Sequence, residues 1–361
     1  MIADKVLLAH GSGSKASHDF VAELFLSPFS NPALDQLNDG AVLEIPPLEP
    51  PFGIRWVGDL RFAYTTDSHV IDPIFFPGGD IGKLAVCGTV NDLAMSGATP
   101  LYLSVGFIIE EGLEIDTLRK VVASMQQAAE EANVKIVTGD TKVVNRGHAD
   151  KLFINTSGIG FLNRNIDISG SNAKVGDKVI ISGSIAEHGI AVMSQREGLE
   201  FDTLCFRRNS ALATKTNPIT SDCAPLNSLV ADMLSVTTNI HCLRDPTRGG
   251  LATTMNELAA QSNVGILLEE AKIPIKEPVR GACELLGYDA LYVANEGKLV
   301  AVVPEKTASQ ILMKMREHKY GRDAEIIGEV IAEPKRVLLK TAIGGTRIVD
   351  MLAGELLPRI C

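Results

Sequence analysis

Length, composition and charge restrict what this chain can be. It has 361 residues, of which 45% are hydrophobic and 22% charged, and these values are typical of a globular protein long enough for two domains. The net charge of −10 argues against a general role in binding nucleic acid, which needs a basic face to neutralise phosphates. No apolar run approaches the roughly 18 residues that a membrane span requires, and the N-terminus lacks the layout of a signal peptide, so we expect a cytoplasmic protein.

The first half of the chain alternates predicted strands and helices. Aromatic and β-branched residues at positions 60–70 predict a strand, and Asp80 can cap a helix that Gly97 stops. The apolar run "LYLSVGFII" predicts a buried strand, a helix follows from about Ile115 to Ala132, and "VKIVT" predicts the next strand. This alternation predicts an α/β fold, or α+β layers, in which helices cover a sheet.

The second half begins where the composition changes to Ser, Gly, Asn and Lys, at residues 170–177, and we place a domain boundary there. The strand "KVIISG" follows. Further on, "IHCLRDPTRGGLATTMNELAAQ" predicts a strand, an Asp, a turn with two glycines and an amphipathic helix, for which Thr247 is the expected N-cap. Because the two halves share this arrangement, we expect them to face each other across one site.

Acidic residues stand at the ends of predicted strands and at the starts of predicted helices. Each alone is typical of a turn or a helix cap. Several gathered together would repel one another unless a cation lay among them, and such oxygen ligands suit Mg²⁺ carrying phosphates. Donors for a phosphate are also present. The acids are Asp67, Asp80, Asp92 beside Asn91, Asp140 and Asp245, and the donors are Lys83, Lys142, Arg248 and the backbone amides of Gly249 and Gly250.

Two motifs each allow two interpretations. The N-terminal "HGSGSK", residues 10–15, is either a loop that folds over a triphosphate or a flexible end. Glu296, in "LYVANEGKLV", is either held near the surface by a Gly turn or buried with a raised pKa and available as a base. The sequence has no Walker A motif and no strand-linked G-x-G-x-x-G, which argues against a P-loop or Rossmann fold.

The six cysteines lie far apart and lack the spacing of a zinc site. For the five internal ones we expect small, mostly buried hydrophobic side chains in a reducing compartment. The sixth, Cys361, is the last residue of the sequence, where a thiol is expected to be exposed and mobile.

Taken together, these stretches resemble the HypE family of hydrogenase maturation factors, whose superfamily includes aminoimidazole ribonucleotide synthetase and selenophosphate synthetase. The resemblance runs nearly end to end, and the ending "PRIC" is its most specific part. One departure is Gly13-Ser14, where the family's early loop usually reads Gly-Gly. The shared motifs are "LAHGSG", "TTDSHVIDPIFFPGGDIGKLAVCGTVNDLAMSGA", "FIIEEG", "IVTGDTKVV", "RGHADKLFINTSGIG", "SDCAPL", "LRDPTRGG", "PVRGACELLG" and "ANEGKLV".

The resemblance implies a fold and a reaction. The fold is a two-domain, aminoimidazole ribonucleotide synthetase-like one, each domain a mixed sheet covered by helices, with the N-terminal domains pairing in a homodimer and ATP bound near that interface. In the implied reaction the carbamoyltransferase HypF delivers a carbamoyl group to the terminal cysteine. The resulting thiocarboxamide is dehydrated with ATP to a thiocyanate. The cyanide then passes to iron on the HypC-HypD scaffold, for a [NiFe]-hydrogenase.

The resemblance also implies domains and residue roles. The domains are 1–168, for ATP binding and dimerisation, 169–354, the synthetase-like C-terminal domain, and 355–361, a mobile tail. Its motifs give Cys361, Glu296 and Lys142 catalytic roles, with Glu296 as the expected base. Nucleotide contacts are expected from His10, Gly11, Gly13, Lys83, Asn91, Thr141, Thr247, Arg248, Gly249 and Gly250, and Mg²⁺ ligands from Asp67, Asp80, Asp92, Asp140 and Asp245.

Two other functions compete with this one. A non-catalytic carrier would use the tail only for docking or metal delivery and would not hydrolyse ATP. A related phosphotransferase, such as a selenophosphate synthetase, would keep its activity without the tail. Selenophosphate synthetases carry a reactive Cys or selenocysteine near the N-terminal Gly-rich loop, whereas the first cysteine here is Cys87, inside a predicted helix.

Overall fold

The strand predicted at residues 60–70 is present in the first sheet, between an edge strand and the central one. The computed structural model describes residues 14–22, 31–32, 34–44, 61–163, 165–199, 219–352, 354 and 359–361. A short helix, α1 (Lys15–Val21), precedes the sheet. The strands of the first half are β1 (Ala41–Glu44), β2 (Arg61–His69), the hairpin pair β3 (Phe75–Phe76) and β4 (Gly79–Asp80), β5 (Thr99–Glu110), β6 (Lys135–Val144) and β7 (Leu152–Leu162).

The first sheet is mixed, and two of the described helices cover one of its faces. Its order is β1-β2-β7-β5-β6, and β5 and β6 are parallel while the other pairs are antiparallel. Helix α2 (Ile81–Met95) and helix α3 (Ile115–Ala132) cover the inner face, and Asn133 ends α3 in the left-handed conformation. No element in the described ranges covers the other face, which is called the open face below. The expectation that "LYLSVGFII" is a buried strand is therefore wrong in part, because β5 has one side exposed, including Tyr102 and Ile108.

A second mixed sheet follows the predicted boundary, since its first strand begins at Lys178. The sheet order is β14-β13-β10-β12-β8-β11-β9, with only β10 and β13 parallel among the described strands. Its strands are β8 (Lys178–Ile181), β9 (Cys242–Arg244), β10 (Gly265–Glu269), β11 (Val300–Val303), β12 (Glu325–Ile331), β13 (Val337–Lys340) and β14 (Thr346–Ile348).

Five helices accompany the second sheet in the described ranges, and none of the helices described anywhere in the chain has the length and apolar character to cross a bilayer. The prediction that Thr247 caps the helix after β9 is wrong. That helix begins at Gly250 and its N-cap is Gly249, which takes the left-handed conformation with φ of 77°. The helices are α4 (Glu187–Glu197), α5 (Asn227–Val236), α6 (Gly250–Ser262), α7 (Glu277–Leu286) and α8 (Glu305–Glu317).

The two halves are joined by shared apolar clusters. One cluster contains the buried side chains between the first sheet and α2 and α3, and Val192, Cys223 and Ala294 of the second half pack into it. A second cluster takes Ala94 and Met95, at the end of α2, into the core of the second half. Two mixed, helix-covered sheets packed in this way confirm the expected α/β two-domain architecture. The joint between the halves is where the candidate site lies.

Candidate functional site

Three buried or half-buried carboxylates from the two halves meet in the cleft. Asp67 is on the inner face of β2, Asp92 is near the end of α2, and Asp245 follows β9. Burial, together with the charges of Asp245, Asp67 and Asp39, raises the pKa of Asp92 well above its ordinary value. Burial and Asp39 likewise raise the pKa of Asp245 well above its ordinary value. The predicted gathering of acids therefore exists, but with these three members.

Local contacts hold these carboxylates in place. Asp92 accepts a hydrogen bond from the hydroxyl of Thr65 at 2.9 Å, and Asp67 accepts one from the amide of Ser68 at 2.8 Å. Gly88 of α2 packs against Asp67 so closely that a Cβ at position 88 would lie 2.9 Å from its Oδ2. The helix and the strand can approach to this distance only because position 88 has no side chain.

Glu296 is buried, which decides between its two interpretations. It is 4% exposed, and burial, together with the Cys223 thiol and Asp245, raises its pKa well above the ordinary value. Its Oε1 atom is buried and has no hydrogen-bond partner among the described residues. The backbone amide of Glu296 donates to Asp222 Oδ1 at 3.1 Å, which fixes its position. An unpaired, buried carboxyl oxygen of this kind is costly unless a ligand engages it.

Arg248 carries positive charge into the same cleft. Its pKa is raised, first by the nearby thiol of Cys361 and then by Asp67 and Glu296, against the opposing effect of burial. The cleft therefore combines carboxylates with one guanidinium group close to the terminal cysteine. Such a combination can bind an anion and a cation together.

The described end of the tail is docked in this cleft in the structure, whereas the sequence predicted a mobile tail. The amide of Val70 donates to the carbonyl oxygen of Cys361 at 3.0 Å, and the amide of Asp72 donates to that of Arg359 at 3.3 Å. Ile360 is buried in the apolar cluster that joins the two halves. Burial, opposed by Arg248 and assisted by Glu296 and Asp67, raises the pKa of the Cys361 thiol to about 12. The docked thiol is therefore protonated at neutral pH.

Two of the five predicted metal ligands lie elsewhere. Asp80 is the N-cap of α2, where its Oδ1 accepts from the amides of Gly82 at 2.7 Å and Lys83 at 3.2 Å. Lys83 itself donates to the carbonyl oxygen of Gly78 at 3.0 Å. Asp80 thus has the cap role that the sequence left open as its alternative.

Asp140 lies on the outer face of the first sheet. It is paired across the strands with Gly106, and Gly106 is paired with Asn155, which pairs with Ser68. Side chains alternate between faces, so Asp140 shares the face of Ser68 and not that of Asp67. Three strand spacings, about 14 Å, also separate β6 from β2. One chain therefore does not bring Asp140 to the cleft.

Lys142 shares the outer face of β6 with Asp140, whereas Thr141 lies on the opposite face of the strand, and both side chains are exposed. Lys142 Nζ lies 2.7 Å from Asp140 Oδ2 and forms an exposed ion pair with it. Within the described part of one chain, the predicted catalytic lysine does not reach Cys361. Its separation from the cleft has the same cause as that of Asp140.

The remaining predicted nucleotide contacts divide into four cases. Asn91 is buried and joins the halves, since its Nδ2 donates to the carbonyl oxygen of Ala224 at 3.1 Å and its Oδ1 accepts from the amide of Leu226 at 2.8 Å, so it is not presented to a nucleotide. The amide of Gly250 already donates to the carbonyl oxygen of Thr247 at 2.9 Å. Thr247, Arg248 and Gly249 lie at the N-terminus of α6 beside Asp245. His10, Gly11 and Gly13 lie outside the described residues.

The sequence prediction missed the segment that connects these parts. Asp222 accepts from the amide of Glu296 and from Lys298 Nζ at 3.0 Å. Burial raises the pKa of Asp222, but Lys298, His188 and the amide of Glu296 together outweigh it, and the pKa is lowered. The motif "SDCAPL" contains Asp222, but its short polar residues are typical of any loop and do not indicate a contact with Glu296. Of the internal cysteines, Cys87, Cys223, Cys242 and Cys283 are buried as expected, and Cys205 lies outside the described residues.

Comparison with known proteins identifies the family. Profiles described as "AIR synthase related protein, N-terminal domain" and "AIR synthase related protein, C-terminal domain" match residues 38–162 and 174–340. "Carbamoyl dehydratase HypE" of Azotobacter vinelandii is 50% identical over 357 residues, which are 99% of this chain and 97% of that protein. The chain belongs to the HypE family.

Solved structures of HypE proteins have the same fold. The HypE chain of a HypE-HypF complex superposes with a TM-score of 0.80 and 48% identity, over 92% of this chain and 99% of that chain. A HypE structure in complex with ATP gives a TM-score of 0.76 and 48% identity, over 99% of this chain and 100% of that chain. Both comparisons extend across the two sheets and the cleft between them.

Proposed function

We propose that this chain is an ATP-dependent carbamoyl dehydratase of hydrogenase maturation, acting on an S-carbamoyl group carried by Cys361. The observation that carries the proposal is the docking of Cys361 beside Arg248, Glu296 and Asp67, in the cleft between the halves. Relatives that share 50% of the sequence bear the name carbamoyl dehydratase, and a HypE structure contains ATP. A thiol on a docked chain end explains why the substrate group and the nucleotide site occur in one protein.

The reaction has a simple atom balance. The thiocarboxamide oxygen attacks the γ-phosphate of ATP, which releases ADP and forms a C–O–P linkage. The C–O bond then breaks with phosphate as the leaving group, and the nitrogen loses its protons to leave the thiocyanate, S–C≡N. Phosphorylation is needed because hydroxide is a poor leaving group, and catalysis of this transfer is mostly positioning and charge stabilisation. Arg248 supplies positive charge at the place where phosphate departs.

Glu296 is the base that accepts a nitrogen proton. A carboxylate with a raised pKa is a stronger base than an ordinary glutamate, which suits a weakly acidic N–H group. Its unpaired Oε1 atom is the group that would receive the proton. Asp222 fixes the backbone of Glu296 and so aims the carboxyl group.

The donor set of the cleft fits Mg²⁺. Within the described residues no three Asp, Glu, His or Cys side chains form a complete metal site, and Mg²⁺ typically takes one or two carboxylates together with substrate phosphates. Asp67, Asp92 and Asp245 would hold it, and it would neutralise phosphate charge when bound. Burial, together with the charges of neighbouring carboxylates, raises the pKa of both Asp92 and Asp245, and a cation bound among them would favour their ionised forms.

A homodimer follows from the open face of the first sheet. That face exposes large apolar side chains, which is unusual for a face that stays in water, and the same surface carries Asp140 and Lys142, with Thr141 between them on the edge strand β6. Pairing of two such faces would bury them and place these residues at a subunit interface, where Lys142 and Asp140 can serve a site completed by both chains. The exposed apolar residues of this face are Tyr64, Tyr102, Ile108, Ile159 and Phe161.

The proposed reaction also assigns a role to each segment of the chain and to each partner protein. We assign residues 1–168 to ATP binding and dimerisation, 169–354 to the synthetase-like domain, and 355–361 to the tail. HypF would load the carbamoyl group and the HypC-HypD scaffold would receive the cyanide, so the tail must leave the cleft for both exchanges. A relative has been solved in complex with HypF, which supports the first exchange.

The mass of the carbamoyl-loaded protein tests this function. We expect MgATP to remove the mass of one water from the C-terminal peptide. Cys361→Ala should abolish loading, and Glu296→Ala should stall the protein as the thiocarboxamide. An unchanged mass under turnover conditions would contradict the dehydratase and favour a non-catalytic carrier, and cyanation by Glu296→Ala would show that another group is the base.

A further inference from the structure

The docked tail is held mainly by its backbone. Its last residues lie along residues 70–72, with amide groups of that segment donating to the carbonyl oxygens of Cys361 and Arg359. Arg359 takes a left-handed conformation, with φ of 51°, and its side chain pairs with Asp150. These contacts fix the direction in which the thiol enters the cleft.

Two side chains of α4 complete this attachment. His188 Nε2 donates to the carbonyl oxygen of Ile360 at 2.7 Å, and Arg196 donates to that of Arg359 at 2.7 Å. Arg196 also donates to the carbonyl oxygen of Asp72, through Nε at 2.7 Å, so it bridges the tail and the segment beside it. Among these side-chain bonds, the one nearest to the terminal cysteine is therefore made by His188, to the residue that precedes Cys361.

The chemistry of His188 is suited to this contact. The ring is completely buried, which lowers its pKa and keeps it neutral, and the edge of Phe76 contacts it with ring centroids 5.4 Å apart. Its Nδ1 lies 2.8 Å from the hydroxyl of Ser221, while that hydroxyl accepts from the amide of Cys223. The carbonyl oxygen of Ile360 can only accept, so the single proton of the neutral ring is on Nε2, directed at the tail, and the hydroxyl of Ser221 donates to Nδ1.

We propose that His188 and Arg196 are positioning residues that latch the tail by its backbone carbonyls and set the fraction of time that Cys361 spends in the cleft. This inference rests on the proposed function. Because the latch holds carbonyl oxygens and not the sulfur, it serves the free, carbamoylated and cyanated forms alike. Single hydrogen bonds of this kind can hold the tail without preventing its release to partner proteins.

The rate at which iodoacetamide alkylates Cys361 tests the latch without ATP or turnover. The modified C-terminal peptide is quantified by mass spectrometry, so the other cysteines do not interfere. We expect His188→Leu to accelerate alkylation roughly two- to tenfold, the change that one lost hydrogen bond produces. His241→Leu is the matched control, because His241 is also a buried histidine but bonds Asp177 at 2.7 Å, away from the tail.

Two further variants make the outcome specific. His188→Gln keeps an N–H donor and should return the alkylation rate toward that of the wild type. Ser221→Ala should accelerate alkylation, because without the hydroxyl that bonds Nδ1 the proton of His188 is no longer held on Nε2. An unchanged rate in folded His188→Leu and Ser221→Ala, or equal acceleration in His241→Leu, would overturn the latch. Since wild-type dehydration is measured separately, a failed latch remains distinguishable from a failed dehydratase.

Discussion

At the residue scale, the carboxylates of the cleft are placed where their charge is unfavourable. Asp92 has three acidic neighbours and little water around it, so its ionised form is destabilised in the folded protein. Its pKa is higher in the folded chain than in the unfolded chain, where it has the ordinary value of 3.8. By linkage, ionisation of Asp92 costs stability as the pH rises above 3.8, and this cost is absent in acid.

The variant Asp92→Asn should therefore be more stable than the wild type. We expect a gain of roughly 1 kcal/mol or more at neutral pH, because the amide removes the repulsion but can still accept from Thr65. The gain should shrink as the pH approaches the ordinary Asp value, and MgATP binding should weaken. Thermal unfolding across pH and titration with MgATP measure the two effects.

Asp177→Asn provides the matched comparison, since Asp177 is a buried acid with a partner, His241. Removing that charge should lower stability, because a favourable contact is lost and nothing repulsive is relieved. A stability loss in Asp92→Asn of similar size would show that repulsion among the cleft carboxylates is unimportant.

At the element scale, the contact between α2 and β2 brings the first half's acids to the cleft. Asp67 and Asp92 lie on different elements, and their separation depends on how closely the helix packs on the strand. Gly88 permits this packing, because a Cβ there would meet Asp67 Oδ2 at 2.9 Å and the His69 ring at 3.1 Å. The short side chain of Asp67 can move away only by leaving its place in the cleft.

Gly88→Ala should weaken MgATP binding while it leaves the thermal stability of the protein nearly unchanged. Alanine favours the helix by about 1 kcal/mol, which offsets the cost of the close contact, so the thermal midpoint should change little. Displacement of Asp67 should weaken MgATP binding, measured by calorimetry, toward the level of Asp67→Asn. Wild-type affinity in the alanine variant would mean that Asp67 does not need its observed position.

At the scale of the whole molecule, one face of the first sheet exposes apolar side chains and has no covering element among the described residues. Asp140 and Lys142 belong to this face and cannot reach Cys361 within one chain. A second copy of the chain is the occupant that we propose, and it accounts for the apolar residues and the charged pair together.

Phe161→Lys should therefore convert a dimer to a monomer. Phe161 is 45% exposed on the open face, and a buried lysine there would have no partner. Sedimentation at several concentrations measures the change, and dehydration should fall with it if Lys142 acts across the interface. Ile343→Lys is the control, since Ile343 is 97% exposed but lies in the second half, between β13 and β14. A wild-type protein that is already monomeric would contradict the dimer.

The local elements could be read from the sequence because their signals are local. The helix from Ile115 to Ala132 ends at Asn133 as its amphipathic pattern predicts, and Asp80 caps α2 because its carboxylate is one residue before the helix. The prediction failed at Thr247, where two glycines with left-handed dihedral angles delay the helix start. Glycine adopts positive and negative φ about equally readily, so the sequence does not predict at which residue this helix begins.

The sequence by itself determined the two-part α/β plan, the cysteine at its end, and the acids and donors available to a phosphate. Only the tertiary structure decided that Asp67, Asp92 and Asp245 lie together while Asp80 caps a helix and Asp140 faces outward. It also decided that Glu296 is buried and that His188 contacts the tail 172 residues away. Proximity, burial and strand face are properties of packed elements, and one-dimensional patterns specify the elements but not how they meet.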